Sequence, residues 1–355
     1  MLENYFEQYS HRYLERNDHV VVILMEDYYL GWLEQVERAL SIWGCCRVDM
    51  EPRLIVITGM GGSGCVGDYV YALASTRKYF KYPIFIVKSH ELPSFINEKD
   101  LVFVISYSGN TLETRHAYLE ALRRKCKLVV ITSNGFLERD AKQKNLPLIT
   151  VTKGIAPRTA LPEMLLAVLN VLDTSGLTIV SRDEVEDLTQ FLKEHMAYAY
   201  NEAMEVAQFI YGNKGNLVIA THTPLEVLAI RGKNEFNENS KIPVKIDVAP
   251  EWAHNDIVGW EKPFTDKWTV LEIVDPSNSI GLKLISFMDE IYAEKRYPVK
   301  KILLKGKNLL QKLLYGSLLL GLASVKLARL RGIDPLETKN ISKYKSRVHE
   351  ILGQP

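Results

Sequence analysis

The chain has 355 residues, a net charge of +1 at neutral pH and a 47% hydrophobic composition. That length suits two domains with a large core, and so balanced a charge offers no broad field to nucleic acid or to a membrane surface, so neither is expected as a partner. Any anion has to be caught locally. No basic segment followed by an apolar one opens the sequence, and Cys45, Cys46, Cys65 and Cys126 have no metal-ligand spacing. Reduced, structural cysteines and a cytoplasmic location are therefore expected, with neither a metal nor a cofactor.

Taken in order, residues 1–50 look helical, at 13–14, 20–25 and 28–42. Strand-like runs then alternate with helical ones: strands at 54–58, 84–88, 101–106, 128–132 and 147–151, and helices at 64–75, 111–125 and 161–172. Such alternation predicts a parallel sheet built from βαβ units. A link follows through Asp173-Thr174-Ser175-Gly176 and the charged stretch 181–187. The pattern then restarts, with strands at 216–221, 244–248, 268–274 and 299–304 and helices within 225–239, at 279–294 and at 309–330. The last helix reads as buried on most faces, its apolar run too short for a membrane span.

Two strands run into loops made for a phosphate. Leu54-Ile55-Val56-Ile57-Thr58 leads into Gly59-Met60-Gly61-Gly62-Ser63-Gly64, and Leu101-Val102-Phe103-Val104-Ile105 leads into Ser106-Tyr107-Ser108-Gly109-Asn110-Thr111. Glycines let the backbone approach a ligand, and amides at a helix N-terminus with hydroxyls nearby suit a phosphate dianion. Alone, Gly59, Gly61 and Gly64 also match a dinucleotide fingerprint, with Glu91 as its ribose acid. The second, hydroxyl-rich loop favours a sugar phosphate. Ordinary turns with side-chain N-caps would be the plain structural alternative.

With these loops, four further segments carry a resemblance: Ala156-Pro157-Arg158-Thr159-Ala160-Leu161-Pro162-Glu163, Lys233-Asn234-Glu235-Phe236-Asn237-Glu238-Asn239, Ala253-His254-Asn255-Asp256 and Gly321-Leu322-Ala323-Ser324-Val325-Lys326. Together the six resemble the sugar isomerase (SIS) superfamily and, within it, the bifunctional phosphoglucose/phosphomannose isomerases of archaea, over roughly residues 50–340. The resemblance implies an α/β fold of two tandem SIS domains, each a doubly wound, flavodoxin-like parallel sheet with helices on both faces. It divides the chain into a helical extension (1–50), a first domain with the phosphate loops (51–175), and a linker helix with a second domain and C-terminal helices (176–355).

The implied activity is reversible isomerisation of glucose 6-phosphate and mannose 6-phosphate to fructose 6-phosphate, on a phosphorylated hexose as the small-molecule partner. By matching position, Gly61, Gly62, Ser63, Ser106, Ser108 and Thr111 would hold the phosphate. Arg158 would stand beside the reacting carbons, Glu238 would be the base, and His254 and Lys326 would handle ring opening. Members of the family are homodimers in which the histidine comes from the neighbouring subunit.

Chemistry alone leaves several of these roles open. One carboxylate against the C1 and C2 hydrogens suffices for a cis-enediol route, and Glu235 competes with Glu238 for it, while a solvated polar turn is the plain alternative for both. Arg158 could stabilise an enediolate, cap a loop, or pair with Glu163. His254 could shuttle a proton or simply sit at the surface. Lys326 lies on an apolar helix between Leu322 and Leu330, where an unpaired ammonium is costly. Lys312, nearly four turns earlier on that helix, points to almost the same side, so one of the two lysines is expected near a helix end and exposed. Another SIS-type phosphosugar enzyme, or a non-enzymatic sugar-phosphate sensor, would share the loops. A sensor would need a basic recognition helix, which the acidic first fifty residues do not suggest.

Overall fold

The structure, a computed structural model, describes residues 24–353. The expected helical positions 13–14 and 20–23 lie outside that range. Two short helices come first, α1 (Met25–Leu30) and α2 (Trp32–Ser41). A five-stranded parallel sheet follows: β1 (Ile55–Thr58), α3 (Gly61–Ser75), β2 (Ile84–Val87), β3 (Leu101–Ile105), α4 (Leu112–Arg123), β4 (Lys127–Thr132), α5 (Gly135–Gln143) and β5 (Leu148–Thr150). A 3-10 turn (Pro157–Ala160) then enters α6 (Leu161–Thr174).

The strand order is β2-β1-β3-β4-β5, with Ile55 level with Ile84 on one side and Leu101 on the other. β1 is buried along its whole length, and its side chains alternate between two cores. Ile55 and Ile57 join the large cluster with α6, whereas Val56 joins Val102, Val104 and Tyr118 of α4 on the opposite face. A strand buried on both faces reads as a continuous apolar run, and that is how this one is written.

The second half begins with α7 (Arg182–Asn213) and continues through β6 (Asn216–His222), α8 (Glu226–Glu235), a π-turn (Phe236–Ser240) and β7 (Val244–Ala249). Next come a 3-10 turn (Glu251–His254), α9 (Asp256–Gly259), β8 (Trp268–Val274), α10 (Ser279–Glu294), β9 (Val299–Leu303), α11 (Leu309–Leu330) and α12 (Lys339–Leu352). Its four strands are parallel in the order β7-β6-β8-β9. In both sheets the order reverses beside the first strand, and at such a switch point an open α/β sheet presents its crevice.

The charged stretch 181–187 opens the expected linker helix, 32 residues long and capped by Ser181 and Glu184 in a reciprocal box. Three expectations need correcting. Lys312 and Lys326 are both buried, so neither is the exposed one of the pair. Cys45 is exposed rather than part of the core. α11 is in fact long and apolar enough to cross a membrane by length and composition, yet it is packed inside the protein against α7, α8 and α1. The core it completes is continuous, reaching from Ile55 and Phe103 of the first sheet to Leu217 and Leu271 of the second.

Candidate active site

Both glycine- and serine-rich loops lie at the C-terminal ends of β1 and β3, side by side across the first switch point. Neither helix that follows them carries a side-chain cap at its N-terminus. The plain N-cap alternative is therefore not what the chain adopts; the Ser63 amide donates to the Met60 carbonyl, while those of Gly61 and Gly62 and of the first turn of α4 stay available to an anion. Gly61 is exposed and Gly62, Ser108 and Thr111 are half-exposed. The hydroxyls of Ser106 and Thr111 lie 3.2 Å apart. Ser63 is turned inward: its Oγ accepts from the Tyr107 amide at 3.0 Å and so ties the two loops together.

The second loop needs glycine at one place in particular. Gly109 has φ +64°, and a Cβ on it would fall 1.8 Å from the Asn134 carbonyl oxygen. Only a residue without a side chain passes there. The first loop meets Arg158 instead, since a Cβ on Gly62 would stand 3.1 Å from the Arg158 Cα.

Arg158 sits in the 3-10 turn entering α6 and is only 7% exposed. It does not pair with Glu163, whose carboxylate is bound by Arg38 at 2.7 Å. Its Nε donates to Asn239 Oδ1 at 2.8 Å, one Nη donates to the Pro335 carbonyl at 2.8 Å, and the other faces Glu238 Oε2 at 3.3 Å. The guanidinium thus spans the seam between the two halves.

Glu238 projects from the π-turn after α8. Single π-turns widen a helix and often mark functional positions. Its side chain keeps 28% of its exposure. Burial raises its carboxyl pKa above the usual range, opposed by Arg158 and assisted by Glu235. It borders a cleft of about 550 Å³ that is also lined by Lys241, Pro243, Thr338 and Ile341. From α12, Tyr344 reaches over and donates to Glu113 Oε1, in the first turn of α4, at 2.6 Å.

Glu235, the rival carboxylate, has a different environment. It is 1% exposed and lies inside a polar cluster with Tyr29, Arg231 and Asn239. The cluster's Asn239 belongs to a segment the sequence had marked, and Arg231 with Glu235 is an ordinary i, i+4 pair. Tyr29 had no sequence signal at all. Lys326 is not brought to the cleft. Its ammonium lies over the Tyr200 ring, 3.4 Å from the centroid, and 3.8 Å from Glu26 Oε1, on the side of α11 facing α7 and α1. His254 ends the 3-10 turn after β7, exposed, and its side chain makes no hydrogen bond or ion pair among the described residues.

With this geometry in view, comparison with known proteins is informative. Residues 51–168 match the SIS domain, and residues 199–348 match the bacterial phosphoglucose isomerase C-terminal SIS domain. The bifunctional phosphoglucose/phosphomannose isomerase of Aquifex aeolicus is 36% identical, over 91% of this chain and 99% of that one. The chain belongs to the bifunctional phosphoglucose/phosphomannose isomerase family. A D-glucosamine-6-phosphate 4-epimerase of Sulfolobus acidocaldarius is also similar, 30% identical over 92% of this chain and 99% of its own length. Among solved structures, the C-terminal domain of glucosamine-fructose-6-phosphate aminotransferase from Francisella tularensis superposes with a TM-score of 0.67. At 15% identity, over 88% of this chain and 98% of that one, it speaks for the shared fold alone.

Proposed function

We propose that this protein interconverts glucose 6-phosphate and mannose 6-phosphate with fructose 6-phosphate through a cis-enediol. The observation that carries the mechanism is the Arg158–Glu238 pair, 3.3 Å apart at the seam beside two uncapped helix N-termini. The loop amides with Ser106, Ser108 and Thr111 hold the phosphate, and Ser63 braces them. Glu238 removes the proton from C2 of the open-chain aldose and returns it to C1, while the O2 hydroxyl proton passes to the neighbouring O1 of the cis-enediol. The enediolate formed between the two transfers lies against the Arg158 guanidinium, where fixed charge is most effective. One base serves both epimeric aldoses because the enediol has lost the C2 stereocentre.

Ring opening needs a proton moved between the ring oxygen and the C1 hydroxyl, and this reading gives that step to His254 of the partner subunit in a homodimer. The exposed position of His254 is what such a role requires. Lys326 has no part in it, because its ammonium sits in the core. The same reading takes the enzyme as cytoplasmic, acting in glycolysis and gluconeogenesis.

The test is a coupled assay started with fructose 6-phosphate that detects glucose 6-phosphate and mannose 6-phosphate separately. Both products should form. Turnover of glucosamine 6-phosphate with none of fructose 6-phosphate would instead assign the chain to the epimerase chemistry of its Sulfolobus relative.

A further inference from the structure

Behind Arg158 lies a buried relay that ends on the first described helix. Asn239 presents Oδ1 to Arg158 Nε at 2.8 Å, which requires its Nδ2 to face the other way. On that side Nδ2 meets the Glu235 carboxylate at 3.0 Å, Ser324 Oγ at 2.8 Å and the Tyr29 hydroxyl oxygen at 3.2 Å. All three present lone pairs. A carboxylate only accepts, Ser324 spends its proton on the Gly321 carbonyl, and Tyr29 spends its proton on Glu235. The amide can therefore sit one way only, with its oxygen toward Arg158. Arg231 adds a second hold, ion-paired with Glu235 and donating to the Arg158 backbone carbonyl. Tyr29, Arg231, Glu235 and Asn239 are each fully or almost fully buried.

We propose that Tyr29 and Glu235 are positioning residues, which lock the Asn239 amide and thereby aim the Arg158 guanidinium at the reacting carbons. Resting on the isomerase reading above, this gives Glu235 a role other than base and gives α1 a share in the active site. Flipping the Asn239 amide would turn an NH₂ toward Arg158, donor against donor, and release its Nε.

Two readouts test it, on the whole chain. Tyr29→Phe removes one donor with little change of shape and should lower kcat about tenfold while KM stays within about twofold, since the aim of Arg158 matters chiefly in the transition state. In the same variant the Arg158 Nε–H, followed by NMR and assigned with Arg158→Lys, should exchange with solvent faster than in the unaltered protein. Glu235→Gln should show both effects and also move the acid limb of kcat/KM to lower pH. Glu238 is faced by Arg158, Arg231, Lys241 and Glu235, and of these only Glu235 raises it. A merely structural defect would not move that limb. Unchanged Nε–H exchange in Tyr29→Phe, or a Glu235→Gln enzyme dead at every pH with its fold intact, overturns the proposal. Failure of the unaltered protein to turn over fructose 6-phosphate would overturn the isomerase reading alone, because the exchange measurement needs no substrate.

Discussion

Glu235 and Glu238 stand three residues apart, yet one is sealed beneath Tyr29 and the other borders an open cleft. For that reason Glu238→Gln should cost about 10²–10⁴-fold in kcat, the range of a general base, and should stop exchange of the C1 proton of fructose 6-phosphate with deuterated water. A base must be ionised, and burial lifts Glu238 above the ordinary 4.5. Hence kcat/KM should rise with pH along an acid limb centred above that value, and a limb at or below it would remove Glu238 from the role. Ser108→Ala and Thr111→Ala should raise KM more than they lower kcat, because a phosphate held by these hydroxyls is held equally in ground and transition states. Unchanged KM in both would take the second loop out of the site. Position in the motif marked Glu238 from sequence, but nothing local separated it from Glu235. Their difference is made by Tyr29, which lies 206 residues away from Glu235. Lys326 misled for the complementary reason. Its neighbours on α11 showed that it faced the core, but not that Glu26 and Tyr200 would meet it there.

Elements with a clean apolar pattern were legible to the residue: α10, β8 and α11 run between the bounds their sequence suggests. α7 was not, because its first two turns are mostly charged, although the Ser181–Glu184 capping box was there to be read. On α11, Lys312 shows how a buried cation is accommodated. Its ammonium bonds both oxygens of Asp275 at 2.8 Å and Ser277 Oγ at 2.6 Å. Burial works against the Asp275 carboxylate, but the hydrogen bonds from Lys312 and Ser277 outweigh it and hold its pKa below the ordinary value. Lys312→Met leaves that carboxylate without its partner and should destabilise the fold by on the order of 3 kcal/mol, measured by urea unfolding at pH 7. A group with a depressed folded pKa stabilises above its unfolded value. The difference between the variant and the unaltered protein should therefore shrink as pH falls below about 4, toward and through the folded pKa. A difference independent of pH would rule out the ion pair as its source.

At the scale of the whole molecule, the active site proposed here is complete only in a pair of chains. Glu238→Gln and His254→Ala should each be inactive, and mixing them under subunit exchange should restore about a quarter of full activity, since half the pairs are mixed and each has one intact site. No recovery, with exchange shown by light scattering and labelled subunits, would place His254 outside its neighbour's site.

The packing of α11 also bears on how the chain is made. Tyr29 of α1 rests against Gly321 of α11, so tightly that a Cβ on the glycine would lie 2.3 Å from the ring. During synthesis, α1 emerges almost three hundred residues before the surface it must dock on, and α3 and α7 emerge before the helix that packs on them. Contacts of such long range slow folding and leave apolar surface open meanwhile. A ribosome stalled before residue 309 should therefore hold a nascent chain that proteases cut readily around α1 and that binds chaperones. Release past residue 330 should close both windows together, making completion of the fold a late, concerted event rather than a domain-by-domain one.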